Sequence, residues 1–136
     1  MRYSTKLSDA THILLFIHVF ADGDLSSNAI AASVQTNPVV IRSLMSDLAN
    51  ANLIQTNRGK AAPTLTRALA DISLLDVYQA VEKTSLLHVD EKTNLGCPVG
   101  KNIQGALTNA YLKVQRAAEN EMAQISLADI LADFRF

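Results

Sequence analysis

A chain of 136 residues, 49% apolar and 18% charged, is one domain's worth of sequence with material for a sizeable core. Three prolines and five glycines among many Ala and Leu point to a mainly α fold. The formal charge of −1 argues, taken alone, against a nucleic-acid partner, and one cysteine excludes an internal disulfide framework and suits a reducing cytosol. The charge is unevenly spread, however. Residues 1–70 hold six Lys/Arg against four Asp/Glu, and residues 71–136 six against nine, so a mildly cationic front precedes an acidic rear.

Ser4 to about Phe20 reads as the first helix. Leu7, Ala10, Leu14 and Ile17 mark one face, and Ile13, Phe16, Val19 and Phe20 widen it until nearly every side is apolar. Such a helix is expected to be buried as the central support. Ala21-Asp22-Gly23-Asp24 should end it, with Gly23 as a left-handed stop. Arg2 and Lys6 ahead of the apolar run Ile13–Phe20 have the flavour of a signal peptide. Asp9, His12 and His18 interrupt that reading, no small-residue cleavage site follows, and the run is too short to span a bilayer. A soluble cytoplasmic protein without a membrane partner is the expectation.

Ser26 and Ser27 are helix-start residues, and Ala29, Ile30, Ala31, Ala32 and Val34 continue a short helix. Thr36-Asn37-Pro38 breaks it, with Asn37 as N-cap and Pro38 at the first helical position of the next. There Val40, Ile41, Leu44, Leu48 and Ala51 recur at helical spacing on one face. Val39, Arg42, Ser43, Ser46 and Asp47 are left on the others. Leu53-Ile54-Gln55-Thr56 is a short strand, Asn57 to Pro63 a turn, and Thr64-Leu65-Thr66 the returning strand. Two short helices with a polar turn, then a hairpin tipped by Arg58-Gly59-Lys60, form a helix-turn-helix with a wing.

Ser73 and Asp76 make a capping box for a helix that buries Leu74, Val77, Tyr78 and Val81. Glu82 to Asn94 is polar, without period, and reads as a loop. From Pro98 to about Gln124 no proline interrupts, and Ile103, Leu107, Ala110, Val114 and Ala117 alternate at four and three. This is a heptad seam on a helix of roughly 40 Å at 1.5 Å per residue. So long a helix exceeds the support a domain this small offers, which points to a second copy; a core helix wrapped by its own chain is the rival. Ser126 and Asp129 form another capping box, opening a last helix with Ile130, Leu131 and Phe134 that lies back over the reading domain or crosses to the partner. The chain thus divides into a winged helix-turn-helix at 1–83, a loop at 84–97, and a dimerisation helix plus C-terminal helix at 98–136.

The run Ala29 to Thr66 and the run Asp71 to Glu82 resemble the IscR/NsrR-type (Rrf2) family of bacterial winged-helix regulators. Thr36-Asn37-Pro38-Val39-Val40-Ile41-Arg42 and Cys97-Pro98-Val99-Gly100-Lys101 are similar, more narrowly, to its YwnA-like branch. The resemblance covers nearly the whole chain in order. It implies a homodimer on double-stranded DNA, with Arg2 and Lys6 able to touch phosphates. Two departures matter. Members often carry paired glycines in the wing, where this chain has Ala61-Ala62-Pro63. Members with an iron–sulfur cluster carry three close cysteines before the long helix, where this chain has Cys97 alone, so no cluster and no metal are expected.

A recognition helix enters the major groove by its N-terminal turn, which makes Thr36, Asn37, Val39, Arg42 and Ser43 the contact residues and assigns Val40 to the core. Arg58, Gly59 and Lys60 at the wing tip would meet backbone or minor groove. Cys97, as N-cap of the dimer helix, is either a reactive thiol favoured by the helix dipole and Lys101, or an inert cysteine at a helix start. Catalysis finds no support. His12, His18 and His88 lack ligand spacing, and no phosphate loop, nucleophile elbow or carboxylate pair is present. The expected function is a homodimeric repressor at a palindromic operator, released when the dimer geometry changes, with the Cys97 thiol one route and no small-molecule or oxidant effector assigned. A dimeric protein-interaction module with little DNA affinity is the alternative, motivated by the acidic total charge and the altered wing.

Overall fold

The computed structural model describes residues 3–56 and 62–136. Helix α1, Lys6–Val19, buries Ala10, Ile13, Leu14, Leu15 and Ile17 and is the post against which the other helices stand. It is less completely enclosed than its composition suggests. Val19 and Phe20 are exposed rather than buried, since they line an open cavity with Ile130, Phe134 and Phe136 of the C-terminal segment. Gly23 does not take a left-handed conformation. The chain leaves α1 through a last helical bond, Phe20 N–H donating to the Phe16 carbonyl (2.9 Å), and then one tight turn, Gly23 N–H donating to that of Phe20 (2.8 Å).

Helices α2, Ser27–Val34, and α3, Pro38–Asn50, follow. Ser26 caps α2 by accepting from Ala29 N–H, and Ile30 and Ala31 pack it inward. Its far end is closed by Gln35 in the left-handed region (φ 63°), which lets Thr36 N–H reach the Ala31 carbonyl at 3.1 Å. Helix α3 anchors through Ile41, Leu44 and Leu48. It ends in a Schellman turn: Asn52 (φ 60°) is left-handed, Leu53 N–H donates to Leu48 O (2.9 Å), and Asn52 N–H to Ala49 O (2.9 Å). Ala51 is exposed there, past the end of the buried stripe.

Strands β1, Ile54–Gln55, and β2, Thr64–Leu65, pair antiparallel in the register Ile54 with Leu65 and Gln55 with Thr64. A short 3₁₀ turn at Leu69–Asp71, absent from the sequence reading, carries the chain to α4, Leu74–Val81. Both halves of the Ser73/Asp76 capping box form. Val77, Tyr78, Ala80 and Val81 are the buried side of α4, while Leu74 is only half-buried.

Residues 82–97 carry no regular element and are laid along α5, Pro98–Ala123, by that helix's own amides. Gln115 Nε2 donates to the Tyr78 hydroxyl (3.0 Å) and its Oε1 accepts from Leu86 N–H (3.0 Å). Gln104 Nε2 donates to Glu91 O (3.0 Å) and Thr93 Oγ1 (2.9 Å). A Cβ on Gly100 would collide with the Asn94 backbone, so this glycine is what lets the loop close over the helix. Helix α6, Leu127–Ala132, then returns to the winged part of the chain. Its capping box, Ser126 with Asp129, lies beside that of α4. An antiparallel bridge joins the two caps: Leu74 N–H donates to Ile125 O (2.7 Å) and Leu127 N–H to Ile72 O (2.9 Å). Leu127 is fully buried in the same core as α1, α3 and α4. No described helix is long and apolar enough to cross a membrane.

Candidate nucleic-acid interface

The first turn of α3 is built by a cap. Asn37 is extended (φ −75°, ψ 136°) and its Oδ1 accepts from Val39 N–H at 2.8 Å, while Pro38 supplies a pre-set helical φ at a position that needs no donor. With Ile41 and Leu44 anchored in the core, the helical repeat turns Val39 (62% exposed), Arg42 and Ser43 to solvent. Val40 joins them at 41% exposure, which corrects its assignment to the core. The inward stripe of α3 is narrow, and Val40 sits beyond its edge. Thr36 is half-buried in the turn, and Asn37 is exposed. Oδ1 of Asn37 serves the cap, which leaves its Nδ2 uncommitted to that bond.

The electrostatics of this turn favour an anion. No acidic residue lies in the first turn of α3, so the positive end of its dipole is uncompensated. Among the described residues the one ion pair joins Arg67 to Asp76 (3.5 Å), leaving Arg42 without a carboxylate partner. The remaining cations are dispersed. Lys6, at the start of α1, lines a shallow groove with Tyr3, Ser4, Glu82 and Lys83, and no α3 residue shares it. Arg2, Arg58, Gly59 and Lys60 lie outside the described residues, as does Ala61 of the wing's Ala61-Ala62-Pro63.

The second group of predicted residues lies on α5. Not one of its 26 residues is buried within the chain. Ile103 and Leu107 are half-buried, whereas Ala110, Val114 (49% exposed) and Ala117 face solvent, as does Leu112. Gln115, Ala118 and Met122 take the side turned toward α4. At the head of α5, Cys97 is the N-cap residue and is partly exposed. The amides of Gly100 and Val99 hold its thiol below the ordinary range, although the sulfur closes no capping hydrogen bond. A cluster would need about four soft ligands. Cys97 is the sole cysteine of the chain, and among the described residues no three His, Cys, Asp or Glu side chains converge. The donor set does not fit an iron–sulfur group.

Comparison with known proteins places this architecture. YwnA of Bacillus subtilis (strain 168), named as an HTH-type transcriptional regulator, is 46% identical over 129 residues, covering 94% of this chain and 96% of its own. A solved structure named as a DNA binding protein is 44% identical, covers 93% of this chain and 98% of its own, and superposes with a TM-score of 0.75. A solved structure from Lactobacillus plantarum, named as a transcriptional regulator, is 27% identical at a TM-score of 0.80, over 95% and 89% of the two chains. The family model described as Rrf2, iron-dependent transcriptional regulator, matches residues 3–133. With its winged helix-turn-helix and long late helix covered from end to end, the chain belongs to the Rrf2 family of transcriptional regulators.

Proposed function

We propose that this Rrf2 regulator is a homodimeric repressor that reads a roughly palindromic operator and is modulated through the Cys97 thiol. The observation that carries the reading is the first turn of α3. A capped, acid-free helix end presents Val39, Val40, Arg42 and Ser43 to solvent on an anchor of Ile41, Leu44 and Leu48. Val39 suits a thymine methyl, Arg42 a guanine edge or a phosphate, and Ser43 and the Asn37 amide suit phosphate oxygens. Two copies joined along Ile103, Leu107, Ala110, Val114 and Ala117 would cover the face that α5 leaves open. They would set two α3 helices about one turn of DNA apart. Repression then follows by occlusion of the promoter, without a resident metal or cluster. A change at Cys97, the N-cap of the dimer helix, would alter the spacing of the two reading heads.

The test is a fluorescence-anisotropy titration of a random duplex at low salt, followed by sites recovered from a genome-wide footprint. Micromolar or tighter binding to random duplex, and at least a thousandfold preference for palindromic footprint sites, is the expected result. Absence of binding at micromolar protein at low salt refutes the DNA reading and leaves a protein-interaction module.

A further inference from the structure

A cavity of about 390 Å³ opens between α1, α2 and the C-terminal segment. The rings of Phe16, Phe20 and Phe134 line it, the first two with centroids 4.7 Å apart. The polar groups gather where α1 meets α2. His12 Nε2 and Ser33 Oγ are 2.8 Å apart, and the Thr11 hydroxyl oxygen is shut from solvent with no partner among the described residues. A volume in the range of ligand pockets, apolar walls and a small set of polar atoms are the marks of a small-molecule site. Phenyl rings favour offset or edge-on contact with another ring. A buried hydroxyl without a partner is unfavourable, and on a helix threonine has two side-chain wells, so one rotation offers it to an occupant.

We propose that this cavity binds a small aromatic compound carrying one oxygen-bearing head group, the rings lying among Phe16, Phe20 and Phe134 and the head reaching His12, Ser33 and Thr11. The head competes for the His12–Ser33 bond, which ties α1 to α2, the helix that seats α3. Occupancy therefore changes DNA affinity, a consequence that rests on the DNA reading above.

The probes are 8-anilinonaphthalene-1-sulfonate, which has aromatic rings and an anionic oxygen head, and N-phenyl-1-naphthylamine, the same rings without the head. The full chain should bind the sulfonate saturably at one per chain, with enhanced emission. Val19→Trp, at a rim position 37% exposed, should fill the cavity and lose at least tenfold in affinity with an unchanged circular-dichroism melt. His12→Leu should weaken the sulfonate at least fivefold and leave the headless probe within twofold. Three results overturn the site: no saturable binding, sulfonate binding unmoved by Val19→Trp, or equal loss of both probes in His12→Leu. If Val19→Trp does not fold, the His12→Leu pair of titrations decides. Duplex anisotropy with and without saturating sulfonate reads the regulatory consequence. Probe binding without duplex binding keeps the site and sinks the DNA reading, and duplex binding without probe binding does the reverse.

Discussion

Asn37 closes the first turn of α3 with its Oδ1 and is exposed, so capping and the proposed DNA contact can be separated by substitution. Asn37→Ala removes the cap and should cost about 1 kcal/mol in a denaturant titration, with weaker duplex binding alongside. Asn37→Asp keeps an acceptor for Val39 N–H but sets a carboxylate against phosphates. It should retain stability and still lose DNA affinity by tenfold or more. Equal behaviour of the two variants would confine Asn37 to a structural part. Arg42→Ala should leave the melting point within a degree or two and cost about 1–3 kcal/mol in binding if the guanidinium reads a base. Gln35 occupies a left-handed position that favours glycine, so Gln35→Gly should raise stability by up to about 1 kcal/mol. For Cys97 the sign is set by its lowered pKa: more thiolate is present in the folded chain than in the unfolded one at a given pH. The rate of alkylation by iodoacetamide should therefore inflect at lower pH in the native protein than in urea.

Among the elements, the starts of helices were the most legible part of the sequence. Ser26, Asn37, Ser73 with Asp76, and Ser126 with Asp129 all cap where the residue types indicate, because each cap closes within four residues and needs no tertiary partner. What the sequence could not convey was the width of buried faces. Val40 and Val19 are as apolar as their neighbours, and only the packing geometry decides that Ile41 and Ile17 go in while they stay out. The cavity beside His12 was hidden for the same reason. Its walls come from α1, α2 and a segment about a hundred residues later, and no local pattern records that return. Gly23 was misread because a left-handed stop and an ordinary turn draw on the same residue type. Leu127 measures how firmly α6 is seated. Leu127→Ala removes a fully buried side chain from the core that α1, α3 and α4 share, and should cost about 2–5 kcal/mol, read as a lowered denaturation midpoint.

At the scale of the molecule, α5 is the feature that a single chain leaves unexplained, since it is the longest helix and none of its residues is fully buried. Light scattering should give twice the 14.7 kDa of one chain. Val114→Glu, at an exposed seam position, should give a folded single copy whose duplex affinity falls by at least two orders of magnitude. In a dimer the cations Arg2, Lys6, Arg42, Arg58 and Lys60 are doubled, and if most meet phosphate the slope of log K against log salt reaches several up to about −9. A slope near −2 would limit the contact to the two α3 helices.

The bridge between Ser73 and Ser126 bears on how a disturbance would propagate. Thr93 Oγ1 grips the Gly100 carbonyl near one extremity of α5 (2.6 Å), and the paired backbones of residues 72–74 and 125–127 grip the other. The first hold is on the adjoining loop and the second on the cap of α4, so the late end of this rod is the one joined to the core. A rotation of α5 would therefore bear on the cap of α4, whose Val77 and Val81 share a buried core with Ile41, Leu44 and Leu48 of α3.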